Sequence, residues 1–195
     1  RSLGMLKARK QGGLSALIDL ILAGSTRPVD VFTFGPKRIF ISYAGFGRDA
    51  AIAGTFDRMR KKPPCRALCS YGFSKLLYAL LAAACTRQKC AAGLELSYQQ
   101  PDGPTETLHI TDSLCQLLIT NIDSYGAGAR VFSKSSMDDA QFEITIMRSS
   151  ARWILLHLSR FTGRAYDQLT PPGSVIKTSE ASLRLPDAVP AQIDG

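Results

Sequence analysis

Near residue 94 the hydrophobic pattern of this chain changes from the period of a helix to that of a strand, and the switch restricts the folds open to it. Leu94, Leu96 and Tyr98 alternate with polar neighbours, Pro101-Asp102-Gly103-Pro104 turns the backbone, and 107–110 brings it back. Alternation at period two puts apolar groups on one face of a half-buried strand. A Pro/Gly turn between two such runs marks a hairpin. Apolar runs over 114–122 and 142–147 add two strands, and 175–178, 182–185 and 189–193 close the chain with three shorter ones.

The first half of the chain is more helical. Leu14, Leu17, Ile18, Ile21 and Leu22 recur at helical spacing, with Ser15 placed to cap the start and Gly24 placed as a C-terminal stop. Segments 29–34 and 38–43, rich in β-branched and aromatic residues, flank Gly35-Pro36-Lys37 and predict a hairpin. A short helix is expected over 49–60, ended by Pro63-Pro64 and weakened by Gly54 by about 1 kcal/mol. Phe73, Leu76, Leu77, Leu80 and Ala84 line one face of a second helix, and Ile154, Leu158 and Phe161 mark a third. The expected class is α+β: a mostly antiparallel, β-sandwich-like domain with flanking helices over 29–195, preceded by a helix and linker over 1–28. Such a class carries many functions and names none.

Composition narrows the partners. With 195 residues and a hydrophobic fraction of 45%, the chain can bury a core and is not a disordered tract. A net charge of +8 and a pI of about 9.4 favour anionic surfaces: nucleic acid, phospholipid headgroups or nucleotide phosphates. Neither basic cluster, Lys7-Arg9-Lys10 or Arg58-Arg60-Lys61-Lys62, interleaves with aromatics, which argues against a single-strand nucleic-acid binder. A solvated face is the plainest reading of these clusters, and attraction to an anionic membrane the next. Five cysteines without a secretory leader indicate a reducing, cytoplasmic setting and no disulfide framework. The apolar helical pattern between Cys69 and Cys85 separates the Cys65/Cys69 and Cys85/Cys90 pairs, so these read as small buried hydrophobes and not as metal ligands. The basic-then-apolar start imitates a signal peptide, but Asp19 interrupts it. The longest apolar stretch, 76–85, is half of the ~20 residues that span a bilayer.

The residues most capable of chemistry lie between Asn121 and Glu143. Here an apolar run leads to Asn121-Ile122-Asp123-Ser124-Tyr125-Gly126-Ala127-Gly128, and a polar loop then reaches Asp138-Asp139 ahead of the strand that carries Glu143. Acidic groups and flexible backbone at a strand end suit ligand handling. Adjacent carboxylates raise one another's pKa only when they converge; the alternative is a solvated turn. Gly126 and Gly128 either expose amides to a phosphate or headgroup or form a plain turn. Asn121 bonds either a headgroup or a neighbouring strand. Asp49, after Gly45 and Gly47, either caps its helix or touches a ligand. His109 and His157 read as structural or exposed, and no Ser-His-Asp or Cys-His arrangement is indicated.

Four segments in order resemble the second domain of the diacylglycerol kinase, sphingosine kinase and bacterial lipid kinase family. Thr26-Arg27-Pro28-Val29-Asp30 is similar to the crossing into that domain, and Ala44-Gly45-Phe46-Gly47-Arg48-Asp49-Ala50 to its Gly-x-Gly-x-Asp-Ala motif. The Asn121 turn with Asp138-Asp139 follows its Asn, glycine-turn and Asp-Asp-Gly order, and Gln192-Ile193-Asp194-Gly195 its late Asp-Gly-Glu motif. Arg1-Ser2-Leu3-Gly4-Met5 looks like the segment after the nucleotide-binding domain. Ala140 stands where the family has glycine, Ala127 interrupts the glycine run, and the Gly-Gly-Asp-Gly-Thr signature does not occur in these residues.

The resemblance implies a lipid-acceptor-binding domain of an ATP-dependent kinase that phosphorylates a hydroxyl of diacylglycerol or a sphingoid-type lipid. ATP and Mg2+ belong to the full-length enzyme, with none expected for this chain alone, which is then inactive without its nucleotide-binding domain. Implied site residues are Asp138, Asp139 and Glu143 for catalysis, Asp49, Asn121, Tyr125, Gly126 and Gly128 for substrate, and Asp194 toward the cofactor, with no metal ligand. Acyl chains are expected in an apolar groove between the β layers and the 73–84 helix. Peripheral contact with an anionic membrane is implied, nucleic acid is not, and the oligomeric state is open. The alternatives are a stand-alone lipid carrier or sensor and a NAD kinase-like second domain.

Overall fold

The alternating segments pair as their spacing predicts. The computed structural model describes residues 14–194 apart from 16–17, 20–21, 25, 27, 70–72, 86–92, 102, 112–113, 127 and 186–188. Strands β1 (Phe32–Phe34) and β2 (Arg38–Phe40) form the expected hairpin, with Phe34 opposite Arg38. Strand β3 (Tyr43–Gly47) runs directly into helix α1 (Arg48–Arg60), which is followed by α2 (Pro63–Leu68) and α3 (Ser74–Ala84). Next come β4 (Leu94–Gln99), β5 (Thr105–Ile110), β6 (Gln116–Thr120), the small hairpin β7 (Ser124–Tyr125) and β8 (Ala129–Arg130), and β9 (Phe142–Met147). Helix α4 (Ser150–Thr162), a 3-10 turn at Tyr166–Leu169, β10 (Val175–Thr178), β11 (Ala181–Arg184) and β12 (Ala191–Ile193) complete the order.

The central sheet has the order β10-β9-β6-β3-β12 with every neighbouring pair antiparallel, and a second sheet has the order β11-β4-β5. Because side chains alternate across a strand, the central sheet serves two cores. Ala44, Phe46, Leu117, Ile119, Phe142 and Ile144 face the second sheet and the β1–β2 hairpin, where Leu94, Leu96, Tyr98, Ile110 and Phe40 meet them. Leu118, Met147 and Tyr125 face the helices and pack against Ile52 of α1 and Trp153 and Leu156 of α4. This is the α+β, mostly antiparallel sandwich with flanking helices that the pattern predicts.

Local chemistry sets the helix ends. The Ser149 hydroxyl accepts from the Arg152 N–H at 3.4 Å and caps α4, while Gly163 in the left-handed region ends it. Pro63 opens α2, where its missing N–H costs nothing. The described residues of 14–22 are helical, and Gly24 follows at φ +66° as the stop signal predicts.

Two expectations are corrected. Strand β3, next to the middle of the central sheet, occupies a glycine-bearing segment in which no strand is predicted. The stripes that define α3 and α4 in the sequence point outward. Phe73, Leu76 and Leu80, and likewise Ile154, Leu158 and Phe161, are exposed, while α3 packs inward through Tyr78, Leu81, Ala82 and Cys85 and α4 through Trp153 and Leu156. Both helices are apolar on more than one side, so periodicity alone selects the wrong face. The expected groove between the β layers and the 73–84 stripe therefore has α3 turned roughly the other way round.

Candidate functional site

The helix-side face of the central sheet carries polar groups that its other face lacks. Cross-strand register aligns Tyr43 with Thr120, Thr120 with Glu143, and Glu143 with Lys177. Strand spacing makes this a row about 14 Å long across four strands. Glu143 and Thr120 are fully buried, and neither Glu143 Oε1 nor Thr120 Oγ1 has a hydrogen-bond partner. Ser135 Oγ donates to Glu143 Oε2 at 3.1 Å. Burial pushes the Glu143 carboxyl from its ordinary 4.5 up to about 7, against the smaller opposing pulls of the Ser135 hydroxyl and the Lys177 ammonium. A carboxyl with that pKa and a free lone pair can exchange a proton near neutrality.

At one end of the row, Lys177 Nζ is ion-paired with Asp139 Oδ2, and the Gln141 N–H donates to Asp139 Oδ1 at 3.1 Å. Asp138 diverges from its neighbour: it is exposed and bonded by Ser136 Oγ. Ala140 holds the glycine-like conformation at φ +56°, and its N–H donates to Asp30 Oδ2 at 2.6 Å. The loop thus keeps left-handed geometry although a side chain there costs about 1 kcal/mol.

At the other end stands Asp49, in the first turn of α1 and 2% exposed. Its carboxylate does not cap the helix. Oδ2 accepts from Tyr125 OH at 2.7 Å and Oδ1 from Trp153 Nε1 at 2.8 Å. His157 Nε2 lies 3.7 Å from Oδ1 and has no hydrogen-bond partner. Gln116 Oε1 accepts from the Asp49 N–H at 2.9 Å, and a Cβ on Gly45 would stand 3.3 Å from Gln116 Nε2, so glycine there leaves the amide room. Arg48 bonds Ser150 Oγ at 2.9 Å and lies over the Trp153 ring. Burial and then the Asp49 charge raise the Tyr125 hydroxyl well above its ordinary range, and the same causes push Tyr78 up to about 12.

Of the other predicted site residues, Asn121 and Asp194 bond backbone groups, and Gly126 lies beside His157, where a Cβ would stand 3.9 Å from Cε1. Asn121 Nδ2 donates to the Asp30 and Ile41 carbonyls at 2.9 and 3.0 Å, tying the end of β6 to its surroundings. Gly126 and Gly128 form the exposed turn between β7 and β8, at φ +35° and +97°. The Asp194 carboxylate accepts from the N–H groups of Ile41, Ser42 and Tyr43 at 2.8, 2.8 and 2.9 Å. Thus Asp49, Tyr125, Asp139 and Glu143 belong to the helix-side face, and Asp194 fills a nest of amides behind the β2–β3 turn.

Sequence reasoning misses Tyr43, Thr120, Trp153, His157 and Lys177. Trp153 and His157 are four apart on one helix and so share a face, a signal legible once Asp49 is known to lie beneath it. Lys177 is found only from the β9–β10 register.

An antiparallel sandwich whose helix-covered face buries carboxylates beside aromatic hydroxyls defines an α+β domain with a polar patch beneath an apolar helical layer. Residues 39–195 match the model of the diacylglycerol kinase accessory domain, and the chain belongs to that family. Over 165 residues it is 26% identical to "Diacylglycerol kinase 2" of Arabidopsis thaliana, covering 81% of this chain and 22% of that protein. Two crystal structures from Bacillus anthracis str. Sterne, each named for a diacylglycerol kinase, share the fold. One has a TM-score of 0.58 at 15% identity, covering 100% of this chain and 55% of that one; the other has 0.56 at 14%, covering 100% and 58%. The chain therefore spans only part of its relatives' length. Among the described residues, no helix is long and apolar enough to cross a membrane.

Proposed function

We propose that this chain is the acceptor-binding part of an ATP-dependent lipid kinase that transfers phosphate to a hydroxyl of diacylglycerol or a sphingoid-type lipid. The observation that carries the reading is the polar row from Tyr43 to Lys177, fully buried at Thr120 and Glu143 and with Asp49 beside it, beneath helices apolar enough to accommodate acyl chains. In this reading Asp49, with Tyr125 and His157, receives the headgroup, and Glu143 takes the proton of the attacking hydroxyl through its unpartnered Oε1. The Asp139–Lys177 pair fixes the ammonium next to Glu143 and so holds part of the carboxyl ionised at neutral pH. Asp138, exposed and outside the row, is assigned to the loop, and Asp194 to anchoring the β2–β3 turn.

Among the described residues, no three His, Cys, Asp or Glu side chains come together to hold a metal ion. Nucleotide and magnesium are assigned in this reading to a nucleotide-binding domain outside these residues.

The test uses the single tryptophan of the chain, Trp153, which donates to Asp49 and so reports on the site directly. Titration with short-chain diacylglycerol or sphingosine is expected to change its fluorescence saturably, and Asp49→Asn is expected to weaken the response. A tryptophan signal indifferent to both lipids would overturn the reading.

A further inference from the structure

Strand β3 is bare where the helices cover it. Side chains alternate across a strand, so Ala44 and Phe46 face the second sheet while Tyr43, Gly45 and Gly47 face the helices. Beyond Tyr43, this face of β3 offers only backbone. The bare strip leads straight into α1, whose second residue is Asp49. It therefore adjoins the carboxylate at which the acceptor reading puts the headgroup.

Gln116 borders the strip from β6. Register sets it between Gly47 of β3 and Met147 of β9, neither of which has a side-chain oxygen to accept from it. The side chain is fully buried, and the two ends of its carboxamide differ in what they meet. Oε1 accepts from the Asp49 N–H at 2.9 Å, whereas Nε2 has no hydrogen-bond partner. A backbone N–H can be met only by the amide oxygen, so the carboxamide cannot be turned over to satisfy Nε2 without stranding Asp49. Gly45 keeps the approach to this donor open, since a Cβ there would stand 3.3 Å from Nε2. A buried donor without an acceptor lowers stability. A bound oxygen atom would remove that cost.

We infer that Gln116 is a specificity-determining residue of the acceptor site, its Nε2–H donating to an acyl carbonyl oxygen of the bound lipid. The inference rests on the acceptor reading and adds which acceptors are favoured: those that carry a carbonyl close to the hydroxyl that is to be phosphorylated. The polarity of the groups is complementary to such a molecule. Carboxylates at Asp49 and Glu143 accept, which suits a hydroxyl, while Gln116 Nε2 only donates, which suits an oxygen that bears no proton. Because one carboxamide holds the Asp49 backbone at one end and presents its donor at the other, the two subsites lie within a few ångströms. The same short separation links hydroxyl and carbonyl in an acylglycerol, where the carbonyl is an ester, and in an N-acylated sphingoid base, where it is an amide.

The experiment titrates the 195-residue chain with matched short lipids and reads Trp153 fluorescence. Dioctanoylglycerol carries ester carbonyls and dioctyl glycerol diether none; N-octanoylsphingosine carries an amide carbonyl and sphingosine none. The parent is expected to bind the carbonyl-bearing member of one pair roughly tenfold more tightly than its carbonyl-free partner, the size of one hydrogen bond to an otherwise unpaired buried donor. Which pair shows the preference names the source, ester or amide. Gln116→Met, similar in volume but without the donor, is expected to bring that ratio close to one, whatever it does to both affinities. Gln192→Met, which removes the other carboxamide beside β3, one already bonded to Tyr43 through its own Nε2, is expected to leave the ratio at its parent value.

A parent ratio near one in both pairs, or a preference that survives in Gln116→Met, would overturn the inference. Should the methionine variant fail to fold by circular dichroism, the two parent ratios decide. The pattern of responses also separates this inference from the reading beneath it. A chain whose Trp153 answers all the lipids alike sinks only the role of Gln116, and one that answers none of them sinks the acceptor site itself.

Discussion

One sheet presents two unlike faces. Toward β4, β5 and β11 its side chains are Ala44, Phe46, Leu117, Ile119, Phe142 and Ile144, a dry interface whose register matters only for fit. Toward the helices the same strands bury Thr120, Glu143 and Thr145, with Arg48, Asp49 and Gln116 at their margins. Burying polar groups costs stability unless each finds a partner, and several here do not. The first face is apolar throughout, whereas the second sets polar groups that lack partners among Leu118, Met147 and the helix side chains packed on them.

That contrast can be broken in steps, beginning with the largest. Leu117→Ala on the dry face is expected to cost roughly 3 kcal/mol by urea unfolding, while the surviving folded fraction keeps its Trp153 response to lipid. Asp49→Ala on the polar face is expected to cost roughly 2 kcal/mol, because it strands the Tyr125 hydroxyl and the Trp153 N–H, and to abolish the lipid response in the remaining folded protein. Equal loss of the response in both variants would erase the distinction between the faces.

Glu143→Gln tests the sign. In the folded chain this carboxyl titrates near 7 and in the unfolded chain near its ordinary 4.5, so between those values the folded state holds the extra proton. Parent stability therefore falls as the pH rises from about 4.5 to about 7 and levels off above. The glutamine variant is expected to match the parent below this window and to exceed it by about 3 kcal/mol above pH 7, as read by urea unfolding. A parent whose stability rises through that window would contradict the assignment.

Smaller effects follow. Lys177→Met removes a half-buried ion pair worth about 1 kcal/mol and is expected to move the Glu143 titration further up, as followed by NMR. Ala140→Gly relieves the left-handed alanine and is expected to stabilise the chain by about 0.5 kcal/mol, with the lipid response unchanged.

Much of this architecture is legible in the chain itself because strand alternation and hairpin turns are local signals. Strand β3 is not legible, since Gly45 and Gly47 carry none of the β-branched character that marks a strand and owe their place to β6 and β12 on either side. The outward stripes of α3 and α4 show the limit of helical periodicity: it finds an apolar face but not which of two is covered. Asp49, Asp139 and Glu143 stand out in sequence as acidic residues near glycine turns. Their association with Tyr43, Thr120, Lys177 and His157 depends on register across four strands and on helix placement, which no local window contains.

The three amides that Asp194 receives lie 151 to 153 residues earlier in the chain, and β12, just before it, pairs with β3. A chain emerging from the ribosome cannot finish its central sheet until this late strand has been synthesised. Until then β3 has one bare edge, open to pairing with any extended segment nearby. Shortening the chain by its last few residues would therefore be felt at the beginning of the domain: slower closure, a longer need for chaperones, and a greater tendency to aggregate before maturity.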